Sequence, residues 1–220
     1  MASINNGPHG RISGKIGSVV YVNTRYGNYV RSKPSFSKPR TNSALQLITI
    51  SKFKLVQALM TALKQTIRKG FTAYNPAKRA RDVAMSYNLE HATLPQGDQF
   101  VLNWEELALA KGYPNPMQDI SIDMDEAKHE LTVSWDIDQA LADRYSLDKY
   151  TCHMVLLHMQ DNGVIFTHGN NVHYPLDHHS QSLTLIPQQP PKDWHIYVFF
   201  YTNRTDNTCT DSMYLGMMSY

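Results

Sequence analysis

Arg25, Tyr26, Tyr29 and Arg31 interleave guanidinium groups with phenol rings, and Tyr21 and Phe36 flank them. Guanidinium groups meet phosphate or carboxylate oxygens, and aromatic rings stack on bases or other planar groups. These residues lie in a stretch of one sign. The first 81 residues carry 15 Lys and Arg and no Asp or Glu, while the other 139 carry six Lys and Arg against 19 acids, a balance of −13. The formal net charge of +2 therefore hides a strong polarity along the chain. Ordinary surfaces mix both signs, and a one-sign surface attracts a polyanion or an oppositely charged protein. The candidate contacts are Lys15, Arg25, Arg31, Lys33, Lys38, Arg40, Lys78, Arg79 and Arg81, with Tyr26 and Tyr29 as candidate stacking rings.

Two kinds of partner suit this surface. A basic half and an acidic half on one chain can pair head to tail between copies, which builds rings or filaments. The leading expectation is thus a non-enzymatic structural or assembly protein, such as a phage-like or surface-particle subunit. Its partner would be an acidic protein surface or its own subunits. The alternative is sequence-independent binding of nucleic acid, which weakens steeply with salt because phosphate contacts release counterions. A third outcome is mutual neutralisation of the halves within one molecule.

Other constellations point away from catalysis. Gly10 to Ile16 resembles a phosphate loop, but His9 stands where that pattern needs Gly and Ile16 where it needs Ser or Thr. Seven of the ten histidines fall between His153 and His195, yet no HxH or HExxH spacing indicates zinc. They read as solvated loop and strand-edge residues. Asp123/Asp125 and Asp136/Asp138 have strand spacing, which puts each pair on one solvent face. Cys152 reads as a small core residue, and no GxSxG elbow is present. Neither a cofactor nor a metal is expected, and no enzyme.

The elements that position these residues divide the chain. Residues 1–15 read as an arm, Ile16–Asn23 and Tyr29–Ser32 as a hairpin around a turn at residues 24–28, and Ser32–Arg40 as extended. Thr41 or Asn42 can cap a helix running to Lys69 and stopped by Gly70. Its apolar stripe is Leu45, Ile48, Leu55, Val56, Leu59, Met60, Leu63 and Ile67, with Lys52 beside it and obliged to snorkel. A second helix is expected from Pro76 to His91, its basic start opposing the helix dipole. Residues 93–118 read as a connector with one short element near 100–110. Seven strands then follow: 120–124, 130–135, 152–159, 164–168, 182–186, 195–201 and 212–218. Their alternation predicts an antiparallel β-sandwich of fibronectin-III or immunoglobulin type. The Cys–Trp–Cys spacing of immunoglobulin domains is absent, which favours the fibronectin-like form. The expected fold class is α+β, with a basic module (1–92), a connector (93–118) and an acidic sandwich (119–220).

The string Asn6-Gly7-Pro8 … Ser13-Gly14-Lys15-Ile16-Gly17-Ser18-Val19-Val20 resembles the opening of an uncharacterised family common in Bacteroidetes. The likeness continues at Val30–Pro34, Lys38–Thr41, Lys52-Phe53, Gly70-Phe71 and Tyr87-Asn88-Leu89. The resemblance implies a fibronectin-like C-terminal half, and because the family is a domain of unknown function it supplies no activity to carry over. In that family Gln and Arg are expected early in the long helix; here Gln46 is followed by Leu47-Ile48-Thr49-Ile50, without the Arg.

A chain of 220 residues with 42% apolar content is long enough for a real core. The opening segment has no apolar h-region and no stretch is long enough to span a membrane, so a cytoplasmic protein is expected, with particle incorporation or non-classical export left open.

Overall fold

The computed structural model describes residues 13–35, 41–97, 99–160, 165–170, 172–186, 192–202 and 207–220. The chain divides into two compact units, Met1–Ser43 and Ala44–Tyr220. This division falls at neither of the expected boundaries, near residues 92 and 118.

The first unit is a three-stranded antiparallel sheet, β1 (Gly14–Ile16), β2 (Val19–Thr24) and β3 (Gly27–Ser32), in that order. The expected single strand over 16–23 is broken at Gly17-Ser18. Gly17 takes a φ of 59°, as the first position of a tight hairpin turn demands. The second turn centres on Arg25-Tyr26, and the Thr24 hydroxyl donates to Gly27 O at 2.7 Å across it.

The second unit begins with α1 (Ala44–Ala62), α2 (Lys64–Phe71) and α3 (Ala80–His91). The expected long helix is interrupted at Leu63 (φ −93°, ψ 20°) and then runs past Gly70. Gly70 is there for close packing: a Cβ on it would lie 2.2 Å from Leu109 O. Its carbonyl accepts from Lys111 N at 2.9 Å and from Cys209 Sγ at 3.1 Å. Pro76–Arg79 precede α3 instead of opening it, so Lys78 and Arg79 lie outside the helix.

A hairpin follows, β4 (Thr93–Gln96) and β5 (Gln99–Leu102), then β6 (Met117–Asp125), β7 (Glu130–Ile137), α4 (Gln139–Tyr145), β8 (Thr151–Met159), β9 (Ile165–Gly169), β10 (Ser180–Thr184), β11 (Asp193–Tyr201) and β12 (Met213–Ser219). All seven expected strands are present. They form two antiparallel sheets, one of order β10-β7-β6 and one of order β12-β11-β8-β9. The architecture is α+β and mostly β.

Two cores lie on opposite sides of the four-stranded sheet. On one side Cys152, Met154 and Leu156 of β8 and Ile196, Val198 and Phe200 of β11 pack with Leu131, Val133 and Trp135 of β7. On the other, Val155, Leu157, Tyr197 and Phe199 pack with Val56, Leu59, Met60, Ile67 and Phe71 of the helices. The unit is thus a stack of three layers: helices, four-stranded sheet and three-stranded sheet. Residues 102–110 are no connector, since Leu102, Leu107, Leu109 and Ala110 are buried in the helix-side core. Asp138 leaves the strand and caps α4, its carboxylate accepting from Leu141 N at 3.0 Å, so the Asp136/Asp138 pair does not share a strand face. Among the described residues, no helix is long and apolar enough to cross a membrane.

Candidate functional site

The register of the small sheet sorts its side chains by face. Lys15, Val20 and Arg31 stand in one cross-strand row, and the Val22–Tyr29 pair lies on the same face. Ile16, Val19, Tyr21 and Val30 occupy the other face. Arg25 sits at the turn with its guanidinium carbon 5.8 Å from the ring centre of Tyr26, which is 80% exposed. Lys33 is exposed just past β3, its amide donating to Ser18 O at 2.8 Å. Lys38 and Arg40 lie outside the described residues.

Lys78, Arg79 and Arg81 are exposed around the start of α3. Arg79 is the residue before its first turn, and Arg81 Nη2 donates to Thr61 Oγ1 of α1 at 3.4 Å. The structure therefore brings Lys15, Arg31 and Tyr29 together on one sheet face and Lys78, Arg79 and Arg81 together on the helical layer. Among the described residues the ion pairs are Lys111–Asp211, Lys128–Asp125 and His179–Asp136, and none uses a cation from the first 81 positions.

The first half of α1 adds an apolar component outside the expected stripe. Leu45 and Ile48 continue the buried stripe, yet Leu45 is 76% exposed and Ile48 only half-buried. Leu47 and Ile50, spaced i and i+3, form a second apolar line on the far side with Lys54, and Phe53 is exposed beside them. A helix apolar on all sides is ordinarily buried. The signal was legible in Leu47, Ile50 and Phe53, which fit no single amphipathic stripe. Lys52 behaves as expected, reaching over the Phe100 ring at 4.9 Å.

The histidines are less solvated than their sequence suggests. His153 is buried, its Nε2 lies 3.4 Å from Thr66 Oγ1, and its Nδ1 has no hydrogen-bond partner among the described residues. Burial, then the charges of Lys69 and His173, pushes it down to about 3. His173, 5.3 Å away ring to ring, has Nδ1 3.0 Å from Cys152 O and is also lowered, chiefly by burial. Lys69 Nζ donates to Tyr201 Oη at 3.0 Å beside them. These groups come from α2, β8, β11 and a loop, a convergence with no local spacing to reveal it. Cys152 is buried as expected, and Cys209 is buried as well.

Residues 11–216 match the model of a family of unknown function, DUF6266, and the chain belongs to that family. No curated protein matches it.

Proposed function

We propose that this member of a family of unknown function is a non-enzymatic assembly protein whose N-terminal region docks on an acidic protein surface. One observation carries the reading: among the described residues, the first buried side chain is Val56. The described elements before it, β1, β2, β3 and the first half of α1, contain no buried side chain. Small isolated sheets are marginal in water, and a sheet face or helix stripe must be covered by another layer to be stable. The first unit exposes the cations Lys15, Arg25, Arg31 and Lys33, and the second unit exposes Lys78, Arg79 and Arg81 together with apolar side chains of α1. The three-and-four division of the strands, with inner faces sharing one core, supports a fibronectin-III-like reading of the sandwich. Sequence-independent nucleic-acid binding is a second reading, favoured by Lys15, Arg31 and Tyr29 sharing one sheet face.

The test is light scattering across a salt series, with and without a labelled oligonucleotide. Oligomers of the protein alone that dissociate as salt rises, and that weaken in Phe53→Asp without loss of folding, are the expected result. A monomer that binds the oligonucleotide with a steep salt dependence replaces the first reading by the second.

A further inference from the structure

The three layers of the larger unit end in outer faces of opposite charge. Asp123, Asp125, Glu130 and Asp136 lie on the outer face of β6 and β7 by register, and Ser182 and Thr184 of β10 complete it. No part of that face is buried. The Lys128 ammonium lies 3.1 Å from Asp125, and His179 Nδ1 lies 4.0 Å from Asp136. Across the stack, the helical layer exposes Lys54, Lys64, Arg68, Lys78, Arg79 and Arg81, with Asp82 and Glu90 as its acids. The two faces are separated by the four-stranded sheet and by both cores, so they cannot neutralise each other through direct contact within one unit.

We infer that the protein stacks head to tail, the carboxylate- and hydroxyl-lined outer face of β10-β7-β6 in one copy receiving the basic outer surface of α1–α3 in the next. The inference rests on the assembly reading and names its partner surface: a second copy of this chain. Charge complementarity fixes the pairing, since like faces repel and unlike faces attract. Such a contact is heterologous, so it propagates into rings or filaments instead of closing as a two-fold dimer. The apolar line of Leu47 and Ile50 lies on the same side of α1 as Lys54, so each contact also covers apolar surface.

Reciprocal charge reversal tests the pairing. One variant carries Lys78→Glu, Arg79→Glu and Arg81→Glu. The other carries Asp123→Lys, Glu130→Lys and Asp136→Lys. Sedimentation at low salt is expected to show each variant alone associating at least about tenfold more weakly than wild type, and an equal mixture recovering most of that association. Recovery in the mixture requires both variants to be folded. Circular dichroism of each variant checks this, and the neutral Asp123→Asn with Asp136→Asn serves if the acidic triple is unfolded, with weakened association expected. Wild type that assembles while the folded variants alone are unimpaired, or the mixture fails to recover, overturns the face assignment and leaves the assembly reading standing. Wild type that stays monomeric at every salt concentration overturns both.

Discussion

Acid should destabilise this protein through His153, and the size of the effect follows from its burial. The ring is enclosed by α2, β8 and β11, beside Lys69, His173, Phe199 and Tyr201. Its folded pKa of about 3 lies below the ordinary 6.5. Between those values the unfolded chain binds a proton that the folded chain refuses, so stability falls as pH drops through this window. At 1.36 kcal/mol per unit, acidification from neutral to about pH 5 costs about 2 kcal/mol from this ring alone. Below about pH 3 both states are protonated and the loss levels off. His173 and His195, also lowered by burial, add their own losses in the same direction. His153→Leu isolates the one contribution: it keeps an apolar body against Phe199 and removes the titrating group. Urea unfolding followed by tryptophan fluorescence, at about pH 7 and about pH 5, gives the comparison. The stability lost by wild type between the two conditions should exceed that lost by the variant by about 2 kcal/mol, or roughly 4–8 °C in Tm for a chain of this size. Equal losses in the two proteins would refute the assignment.

One substitution and one reactivity follow from the packing. Gly70→Ala places a Cβ 2.2 Å from Leu109 O and 2.7 Å from Ala110 Cα, so backbone must move, and a loss of at least about 2 kcal/mol is expected in thermal unfolding. Burial raises the Cys152 thiol and pushes the Cys209 thiol up to about 12, so neither should react with a thiol reagent in the native state at mildly alkaline pH, and both should react in urea.

The β half was legible in the sequence because its strands alternate strictly and its turns are marked by polar residues. Leu131, Val133 and Trp135 point inward as their spacing implies, and Thr132, Ser134 and Asp136 point out. The alternation misleads at β11, where Tyr197 and Phe199 look like the outward set and are in fact buried beneath the helices. That stacking depends on contacts between residues about 140 positions apart, such as Gly70 O with Cys209 Sγ, and no local pattern encodes them. Gly70 shows the same limit. A glycine near the end of an apolar periodic run reads as a helix stop, and only the approach of Leu109 and Ala110 reveals a packing role. Of the candidate surface, the cations were legible from composition, whereas the exposure of Leu45, Leu47 and Phe53 on α1 is set by packing with neighbouring elements that no local pattern encodes.

The charge boundary at residue 82 does not coincide with a structural boundary, and this changes what the polarity can do. The acid-free segment ends inside α3, whose Val83 and Ala84 are buried in the same core as Phe199 of the acidic half. The helices and the sandwich are therefore held as one stack by apolar burial, which is insensitive to salt to first order, while their charges are carried on outer faces that water and ions reach. Raising salt should weaken contacts made by those faces well before it affects the fold. A protein that used its polarity for internal cohesion would place carboxylates against Lys69 or Lys52, the cations that turn inward. Instead these two meet the rings of Tyr201 and Phe100. Neutral rings hold an inward cation without consuming a carboxylate, and among the described residues no carboxylate forms an ion pair with a cation of the first 81 positions.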